Sequence, residues 1–284
     1  MITPVRRFIA TCALATLGAA LAACGAPGTP RAARPAHPAS SSATPSHPPT
    51  LAPGPAGLTP VFKNGPRTPD KVVALTFDAD MTADQGERAA DGEHFDNPRL
   101  IATLREFKVP ATVFMTGRWV DEYPRQARDI GRDPLFEVAN HSYSHYAFTD
   151  DCYGLPTLPE DKMQADVERA YASFKKAGLP HAMPYFRFPG GCYDQRALRM
   201  LSGVGVTAVQ WDVVSGDAFA TDSDAVARQV IEGVRPGSVV VMHCTRSAAP
   251  ATEPALLTIV PELREQGYRF VKVSELIGAA AGRR

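Results

Sequence analysis

Two carboxylates end a short apolar run, and their position is the first indication of chemistry in this chain. The run VVALTFDAD covers residues 72–80 and closes with Asp78 and Asp80. A buried carboxylate is costly unless a cation or a hydrogen-bond donor stabilises it. We therefore interpret one aspartate as a metal ligand and the other as a general base that accepts a proton from water. The alternative is that one or both only cap the following loop.

The segment NHSYSH, residues 140–145, could supply nitrogen donors to such a site. His141 and His145 are four residues apart, so one helical turn or a tight loop places both imidazoles on the same side. This spacing is also typical of two solvated loop histidines. With an aspartate they give two His and one Asp, which leaves a position open for water, as in catalytic zinc sites. A divalent ion there would lower the pKa of that water and polarise a carbonyl oxygen.

Two further segments could complete a hydrolytic site. RFPGG, residues 187–191, contains Arg187, which could hold Asp78 ionised, and two glycines whose backbone could donate an N–H to an oxyanion. The alternative is a plain turn between a strand and a helix. VVVMH ends in His243, which is either structural or, opposite a metal, the general acid for the leaving group.

Apolar runs alternate with helical patterns along the chain, which predicts a parallel sheet with helical crossovers. The predicted strands are Val72–Phe77, Ala111–Met115, Phe136–Ala139, Tyr185–Phe188, Val206–Trp211, Ser238–Met242 and Tyr268–Val271. The predicted helices are Asn97–Phe107, Val120–Ile130, Glu160–Lys176, Asp194–Ser202, Ser223–Val234 and Ala255–Gln266, with a last one after Ser274. About seven such units fit a barrel better than an open sheet, and the polar residues follow the strand ends, where α/β barrels build their sites.

The order of these motifs resembles that of the polysaccharide deacetylases of carbohydrate esterase family 4, which include the chitooligosaccharide deacetylase domain. TFDAD is similar to the family's first motif, T-F-D-D-G, HSYSH matches H-[ST]-x-x-H, and RFPGG matches R-x-P. WDVVSGDA and VVVMH resemble the fourth and fifth motifs, and the resemblance covers residues 71–277. It implies an α/β fold, a distorted (β/α)7 barrel with its site at the C-terminal strand ends, and metal-dependent removal of acetyl groups from sugars.

The resemblance also implies roles by position. Asp78 would be the base, and Arg187 would position it. His141 and His145 would bind the metal, and His243 would be the general acid. Gly190 and Trp211 would contact the oxyanion or the substrate.

Two departures from the family pattern affect these roles. The family's metal-binding aspartate directly follows the base, where this chain has Ala79. A loop beginning at Ala79 could turn Asp80 back to the metal, and we prefer this to a site with two histidines alone. The fourth motif has an aspartate that tunes the acid histidine, where this chain has Val214. Asp212, two residues earlier and so on the same strand face, is predicted to replace it, and Asp217 matches a later aspartate of the motif.

Together these inferences predict a monomeric hydrolase that removes N-acetyl groups from an extracytoplasmic polysaccharide, with cell-envelope glycan as the expected substrate. The expected cofactor is Zn²⁺, with Co²⁺, Ni²⁺ or Mn²⁺ as substitutes. The alternatives are an O-acetyl esterase, a catalytically impaired carbohydrate-binding lipoprotein and a lipoprotein that only binds metal. Asp78, Arg187 and His243 argue against the last two, because binding alone needs neither a base nor an acid.

The N-terminal residues predict export and anchoring. Arg6 and Arg7 precede a mostly apolar stretch that ends in LAAC, which indicates a bacterial lipoprotein signal peptide over residues 1–23 and a lipid anchor on Cys24 in the cell membrane. An ordinary secretory signal with an incidental cysteine is the alternative. Residues 24–60, rich in Pro, Ala and Ser, are predicted to be a disordered linker, and residues 61–284 the deacetylase domain.

Cysteines and charge add two constraints. A disulfide is expected outside the cytoplasm, and we predict the pair Cys152–Cys192, with Cys244 left as a free thiol. The chain has 30 Lys and Arg residues and 30 Asp and Glu residues. It therefore lacks the basic excess that usually indicates a nucleic-acid partner.

Overall fold

The computed structural model describes residues 47–179 and 181–282, which form a curled parallel sheet with helices packed around it. The strands are β1 (Val61–Phe62), β2 (Val72–Ala79), β3 (Ala111–Met115), β4 (Phe136–Asn140), β5 (Tyr185–Phe186), β6 (Thr207–Val209), β7 (Val213–Val214), β8 (Ser238–His243) and β9 (Arg269–Phe270). Their order in the sheet is β1-β6-β5-β4-β3-β2-β8-β7, and β9 pairs with β2. The sheet pairings are all parallel within the described ranges.

The helices lie mostly in the connections between strands. They are α1 (Gln85–Ala90), α2 (Pro98–Glu106), α3 (Gly117–Glu122), α4 (Pro124–Arg132), α5 (Met163–Ala177), α6 (Gln195–Met200), α7 (Ser223–Gly233), α8 (Thr252–Glu265) and α9 (Val273–Ala281). Local sequence sets several of their ends. The Asn97 side chain caps α2 by accepting from the Leu100 N–H, and Pro98 occupies the first turn. Gly178, with φ of 81°, ends α5 in the left-handed conformation that favours glycine.

The interior of the curled sheet is filled by one side chain from each of seven strands, together with apolar residues of α9. The strand residues are Phe62, Ala74, Phe114, Ala139, Tyr185, Val209 and Val239. The edge strands β1 and β7 do not pair with each other in the described sheet, and residues 210–212 connect β6 directly to β7 at this gap. The predicted distorted (β/α)7 barrel is therefore confirmed, in the form of a curled sheet that hydrogen bonding does not close.

Strand β2 carries the alternation that places the site. Phe77, Ala79 and Met81 join the large core between the sheet and the helices. Because successive side chains of an extended chain point to opposite faces, Asp78 and Asp80 both point to the other side, where they line a cleft. The strand runs through Ala79 instead of ending at Phe77, so regular extension brings Asp80 to the cleft without the predicted loop at Ala79.

The seven predicted strands are present, with ends shifted by two residues or fewer. The predicted helix Val120–Ile130 is instead two helices, because Pro124 has no N–H to continue α3 and begins α4. The short strands β1 and β7 and the helix α1 were not predicted. Such short elements carry too few residues for a periodicity to be recognisable.

The predicted linker over residues 24–60 is wrong for its last part. From residue 47 on the chain packs against the barrel: the Tyr185 hydroxyl donates to the Pro49 carbonyl oxygen (2.7 Å), and the Leu51 N–H donates to the Thr207 hydroxyl (3.1 Å). The predicted signal peptide, Cys24 and the first part of the linker lie outside the described residues. Within residues 47–179 and 181–282, no helix has the length and apolar character needed to cross a bilayer.

Candidate active site

A buried ion pair between Asp78 and Arg187 lies at the floor of the cleft. Arg187 Nη1 is 2.6 Å from Asp78 Oδ1, and Arg187 Nε donates to the Val209 carbonyl oxygen at 3.2 Å. The guanidinium carbon lies 4.0 Å from the Phe114 ring centroid and 5.3 Å from that of Trp211. Burial lowers the pKa of Arg187 and Asp78 opposes this shift, and an arginine stays charged at neutral pH. Arg187 therefore fixes the orientation of the Asp78 carboxylate.

The backbone orients the ring of His141. Its Nδ1 lies 2.9 Å from the carbonyl oxygen of Arg187. A carbonyl can only accept, so Nδ1 carries a hydrogen, and Nε2 is the nitrogen that could bind a metal. Nε2 lies 3.7 Å from Asp78 Oδ2 at the cleft floor. A histidine that donates its other ring N–H to a carbonyl has the tautomer and fixed orientation of a metal ligand.

His145 is positioned by a tight loop rather than a helical turn. Ser142 and His145 have φ of 70° and 58°, in the left-handed region. The carboxylate of Asp166 and the side-chain oxygen of Asn140 accept hydrogen bonds from backbone N–H groups of the loop, and the His145 N–H donates to the Ser142 hydroxyl at 2.9 Å. These bonds compensate the backbone strain. They place the His145 ring centroid 5.0 Å from that of His141.

Asp80 and His145 face each other, and their charge states at neutral pH suit the binding of a cation. Asp80 Oδ2 is 3.7 Å from His145 Nε2, and Asp80 Oδ1 accepts from the Thr245 hydroxyl at 2.6 Å. Burial alone would raise the pKa of Asp80, but His145, His243 and Thr245 together hold it below its ordinary value. Burial lowers the pKa of His145 to about 4. At neutral pH the carboxylate is therefore ionised and the imidazole neutral.

The chemistry of these donors fits a divalent cation, although they do not form a complete site in this structure. Among residues 47–179 and 181–282, no group of three or more His, Cys, Asp or Glu side chains has the arrangement of a metal site. Two donors bound to one ion at about 2.0–2.2 Å can lie up to about 4.4 Å apart, and the 3.7 Å between Asp80 and His145 is within this limit. Asp80, His141 and His145 are thus the residues that could hold a metal after small side-chain movements.

His243 is held as an imidazolium by Asp217. The His243 backbone N–H donates to Asp217 Oδ2 at 2.7 Å, and its ring Nδ1 lies 2.9 Å from Asp217 Oδ1. The hydroxyls of Ser215 (2.8 Å) and Thr252 (2.6 Å) donate to the same buried carboxylate. Burial lowers the pKa of His243, but the charge and hydrogen bond of Asp217 outweigh it and raise the pKa to about 9. His243 can therefore donate a proton into the cleft at neutral pH.

The predicted role of Asp212 beside His243 is wrong. Asp212 Oδ1 accepts from the Val239 N–H at 2.7 Å, and Oδ2 accepts from Ser238 Oγ at 2.9 Å and from Arg67 Nη2 at 2.5 Å. These partners are at the start of β8, whereas His243 is its last residue, roughly 13–17 Å away along the strand. Asp212 fastens the beginning of β8, and Asp217, which the sequence offered as a match to the fourth motif, occupies the position beside His243.

Gly190 and Gly191 form a turn that only glycine permits. Their φ values are 63° and 73°. A Cβ at Gly190 would lie 2.6 Å from Cys152 Sγ, and one at Gly191 would lie 2.4 Å from the Trp211 ring. The turn therefore packs closely against the disulfide on one side and the half-buried Trp211 on the other, and both glycines line the cleft. Such a turn can bring backbone N–H groups close to a substrate.

Cys152 and Cys192 form a disulfide, which is the pairing predicted from the sequence. Cys244 is a free, buried thiol directly after His243. The disulfide connects the loop after His145 to the residue that follows the Gly190–Gly191 turn. It therefore fastens one side of the cleft mouth.

The cleft has a volume of about 340 Å³ and brings together most of the residues selected from the sequence. Its lining includes Asp78, Asp80, His141, His145, Gly190, Trp211 and His243. Tyr153 and Phe219 also line it. They were not predicted, because single aromatic residues in loops form no recognisable pattern.

Comparison with known proteins identifies the family. The family model for polysaccharide deacetylases matches residues 65–209, which is 145 of the 284 residues. The chain belongs to the polysaccharide deacetylase family. The resemblance seen in the motifs is thereby confirmed.

Three similar proteins show the range within this family. The peptidoglycan-N-acetylglucosamine deacetylase of Bacillus cereus is 26% identical over 73% of this chain and 89% of its own length. An acetyl xylan esterase of family 4 from Clostridium thermocellum, in complex with a cobalt ion, has 25% identity and a TM-score of 0.58, over 73% of this chain and 91% of that one. A family 4 pseudoenzyme from Bacillus anthracis has 26% identity and a TM-score of 0.62, over 81% of this chain and 70% of that one.

We predict that Asp217→Asn lowers the pKa of His243 by roughly one to three units. In the parent protein the imidazolium is stable up to about pH 9. The variant lacks the negative charge that stabilises the imidazolium, so the titration midpoint of His243 should move to lower pH. The measurement is NMR titration of the His243 ring. Asp212→Asn is the matched control and should leave the midpoint in place. An unchanged midpoint in a folded Asp217→Asn variant, or an equal shift in both variants, would contradict the assignment.

Proposed function

We propose that this protein is a metal-dependent hydrolase that removes N-acetyl groups from an extracytoplasmic polysaccharide. One observation carries the proposal: a single cleft contains a carboxylate oriented by a buried guanidinium, Asp78 with Arg187, and an imidazolium fixed by a buried carboxylate, His243 with Asp217. Hydrolysis of an amide uses both a base for the water and an acid for the leaving nitrogen. A protein that only binds glycan needs neither.

The roles follow from the charge state of each group. Asp78, kept in place by Arg187, accepts the proton of the attacking water. The backbone N–H of Gly190 donates to the oxygen on which negative charge develops. His243, protonated at neutral pH, gives its proton to the departing amine of the sugar.

The metal would be held by Asp80, His141 and His145, with Zn²⁺ expected first and Co²⁺, Ni²⁺ or Mn²⁺ as substitutes. When bound, a divalent cation supplies a Lewis acid that lowers the pKa of water and polarises the acetyl carbonyl. The similar acetyl xylan esterase is in complex with a cobalt ion, which supports a divalent metal in this protein. Asp80 takes the place of the family's usual aspartate, because Ala79 points into the core.

An N-acetylated glycan is the substrate that the relatives support best. The B. cereus relative is named for peptidoglycan N-acetylglucosamine, so we propose an N-acetylated glycan of the cell envelope. The acetyl xylan esterase makes an O-acetylated polymer the second candidate. The pseudoenzyme makes an inactive glycan-binding protein the third.

We predict that the purified protein releases acetate from N-acetylated glycan, that a chelator stops the release, and that Zn²⁺ or Co²⁺ restores it. Asp78→Asn should lower turnover by roughly 10²- to 10⁴-fold because the base is lost, while metal content after dialysis stays at the parent level. Asp80→Ala should weaken metal binding by roughly tenfold or more, with excess metal recovering part of the activity. Asp91→Ala, at an exposed acid that ends α1 and does not line the cleft, is the control.

The outcomes separate the candidates. Acetate from acetylated xylan but not from any N-acetylated glycan would favour the esterase. No acetate from either polymer, with metal present, would favour the binding protein. Parent-like metal content and turnover in Asp80→Ala would mean that Asp80 is not a ligand.

We also propose that the protein is attached to the outer face of the cell membrane through a lipid on Cys24. The motif LAAC after Arg6, Arg7 and an apolar stretch supports this. The Cys152–Cys192 disulfide supports an oxidising compartment.

We predict that Cys24→Ser moves the protein from the detergent phase to the aqueous phase when cells that make each form are extracted with a phase-separating detergent. Without the acylated cysteine, the membrane affinity of the chains is lost. Cys12→Ser, within the proposed signal peptide, is the matched control and should partition like the parent. Equal partitioning of Cys24→Ser and the parent would refute the lipid anchor.

A further inference from the structure

An exposed apolar rim, formed by Tyr153, Val214 and Phe219, lies at the mouth of the cleft. Among the described residues, the exposed large hydrophobic side chains are Tyr153 (78%), Val214 (51%), Phe219 (86%) and Leu257 (53%). The first three line the cleft, whereas Leu257 lies on α8 away from it. Single exposed apolar residues are ordinary, but a cluster at the entrance of a polar site indicates a binding surface.

Tyr153 and Phe219 reach this rim from distant parts of the sequence and contact each other. Their ring centroids are 6.4 Å apart, with 46° between the ring planes. A sugar held between two rings at contacts of about 3.5–4.0 Å would need roughly 7–8 Å between them. The two rings are too close for that, so they present one joint surface and not a sandwich.

The backbone of both residues is anchored next to the site. Phe219 is the last residue of the short turn that begins with Asp217, the partner of His243. Tyr153 has φ of 52° and directly follows Cys152, which the disulfide ties to Cys192. Atoms of Cys152 and Tyr153 also lie 2.6 Å and 3.3 Å from where a Cβ of Gly190 would be. The disulfide thus holds the Tyr153 loop on the Gly190 turn.

A pyranose ring suits this surface. One face of the ring is made of C–H groups, which pack on an aromatic ring, while its hydroxyls stay in water at the edge. Tyr and Phe provide such apolar area without a charge, and the charged side chains of the cleft are far less exposed than these two rings. The surface is also continuous with the residues that would act on an acetyl group.

We propose that Tyr153 and Phe219 form a carbohydrate-binding platform at the mouth of the cleft, and that the Cys152–Cys192 disulfide holds this platform in place. The platform binds a sugar ring of the same glycan chain whose acetyl group is in the cleft, so this inference rests on the proposed function. Tyr153 and Phe219 are positioning residues, because they hold the chain and do not touch the reacting atoms.

The kinetic test uses chitopentaose, a soluble oligomer of N-acetylglucosamine. Phe219→Ala and Tyr153→Ala should each raise KM roughly three- to tenfold, which corresponds to about 0.6–1.4 kcal/mol of lost contact with the sugar, and should have a smaller effect on kcat. Phe219→Tyr and Tyr153→Phe should retain the parent KM. Leu257→Ala removes an exposed hydrophobic side chain away from the cleft and should change nothing. A parent-like KM in both alanine variants would overturn the platform.

A binding test separates this inference from the proposed function. The dissociation constant for chitopentaose, measured by calorimetry in the Asp78→Asn background, requires no turnover. It should rise roughly three- to tenfold on adding Phe219→Ala or Tyr153→Ala. If the parent releases no acetate but these changes in affinity are seen, the platform stands and the hydrolase does not. If acetate is released and the affinity is unchanged, the platform is refuted.

The role of the disulfide has its own test. The double variant Cys152→Ser, Cys192→Ser should show the same loss of chitopentaose affinity as Tyr153→Ala, with parent-like metal content. Adding Tyr153→Ala to the double variant should then lower the affinity for chitopentaose only slightly further, because the Tyr153 ring is already displaced from the platform. Parent-like affinity in the double variant would mean that the disulfide does not hold the platform. Unchanged far-UV circular dichroism ensures that the variants are folded.

Discussion

Side chains of an extended strand alternate between its two faces, and at the end of β2 this alternation determines what the site contains. Phe77, Ala79 and Met81 enter the core beneath the helices, and Asp78 and Asp80 enter the cleft. An aspartate at position 79 in this conformation would be buried among apolar side chains without a partner, at a high cost in desolvation. Alanine at position 79 therefore suits the core face of the strand, and aspartate at position 80 suits the cleft face. The base and the ligand candidate lie on the same face of one strand.

The rest of the site balances charge around these two carboxylates. Arg187 neutralises Asp78, and the neutral His145 adds a donor without adding charge. His243 carries a positive charge because Asp217 faces it. Buried charges are tolerated only in such pairs, and a base and an acid kept in different states within one cleft are typical of catalytic sites. Parallel strands bring these groups together from positions as far apart as 78 and 243.

Much of this was predictable from the sequence, because buried parallel strands are near-continuous apolar runs and their ends are marked by polar residues. The same reasoning failed at Asp212. It assumed that Asp212 and Val214 lie on the same face of one strand, whereas Asp212 lies in the connection from β6 to β7 and Val214 lies in β7. Asp217 follows Gly216, whose φ of 75° turns the chain out of any strand period. Side-chain direction in such a turn depends on tertiary contacts, which sequence periodicity does not contain.

The rim of the cleft was equally beyond sequence reasoning. Tyr153 and Phe219 are 66 positions apart and meet only because the disulfide loop and the turn after β7 face each other. Residues 47–60 have a composition typical of a linker, yet their backbone groups find partners on the barrel. Composition reports how much a segment can bury, but not whether a neighbouring surface is shaped to receive it.

We propose that Asp80, and not Asp78, joins His141 and His145 in holding the metal. The most direct measurement is a crystal structure of the protein grown with cobalt, with anomalous diffraction at the cobalt edge to locate the ion. The ion should be bound by a carboxylate oxygen of Asp80 and by Nε2 of both histidines, while Asp78 remains on Arg187. An ion bound by Asp78, or by the two histidines with Asp80 still on Thr245, would contradict the claim.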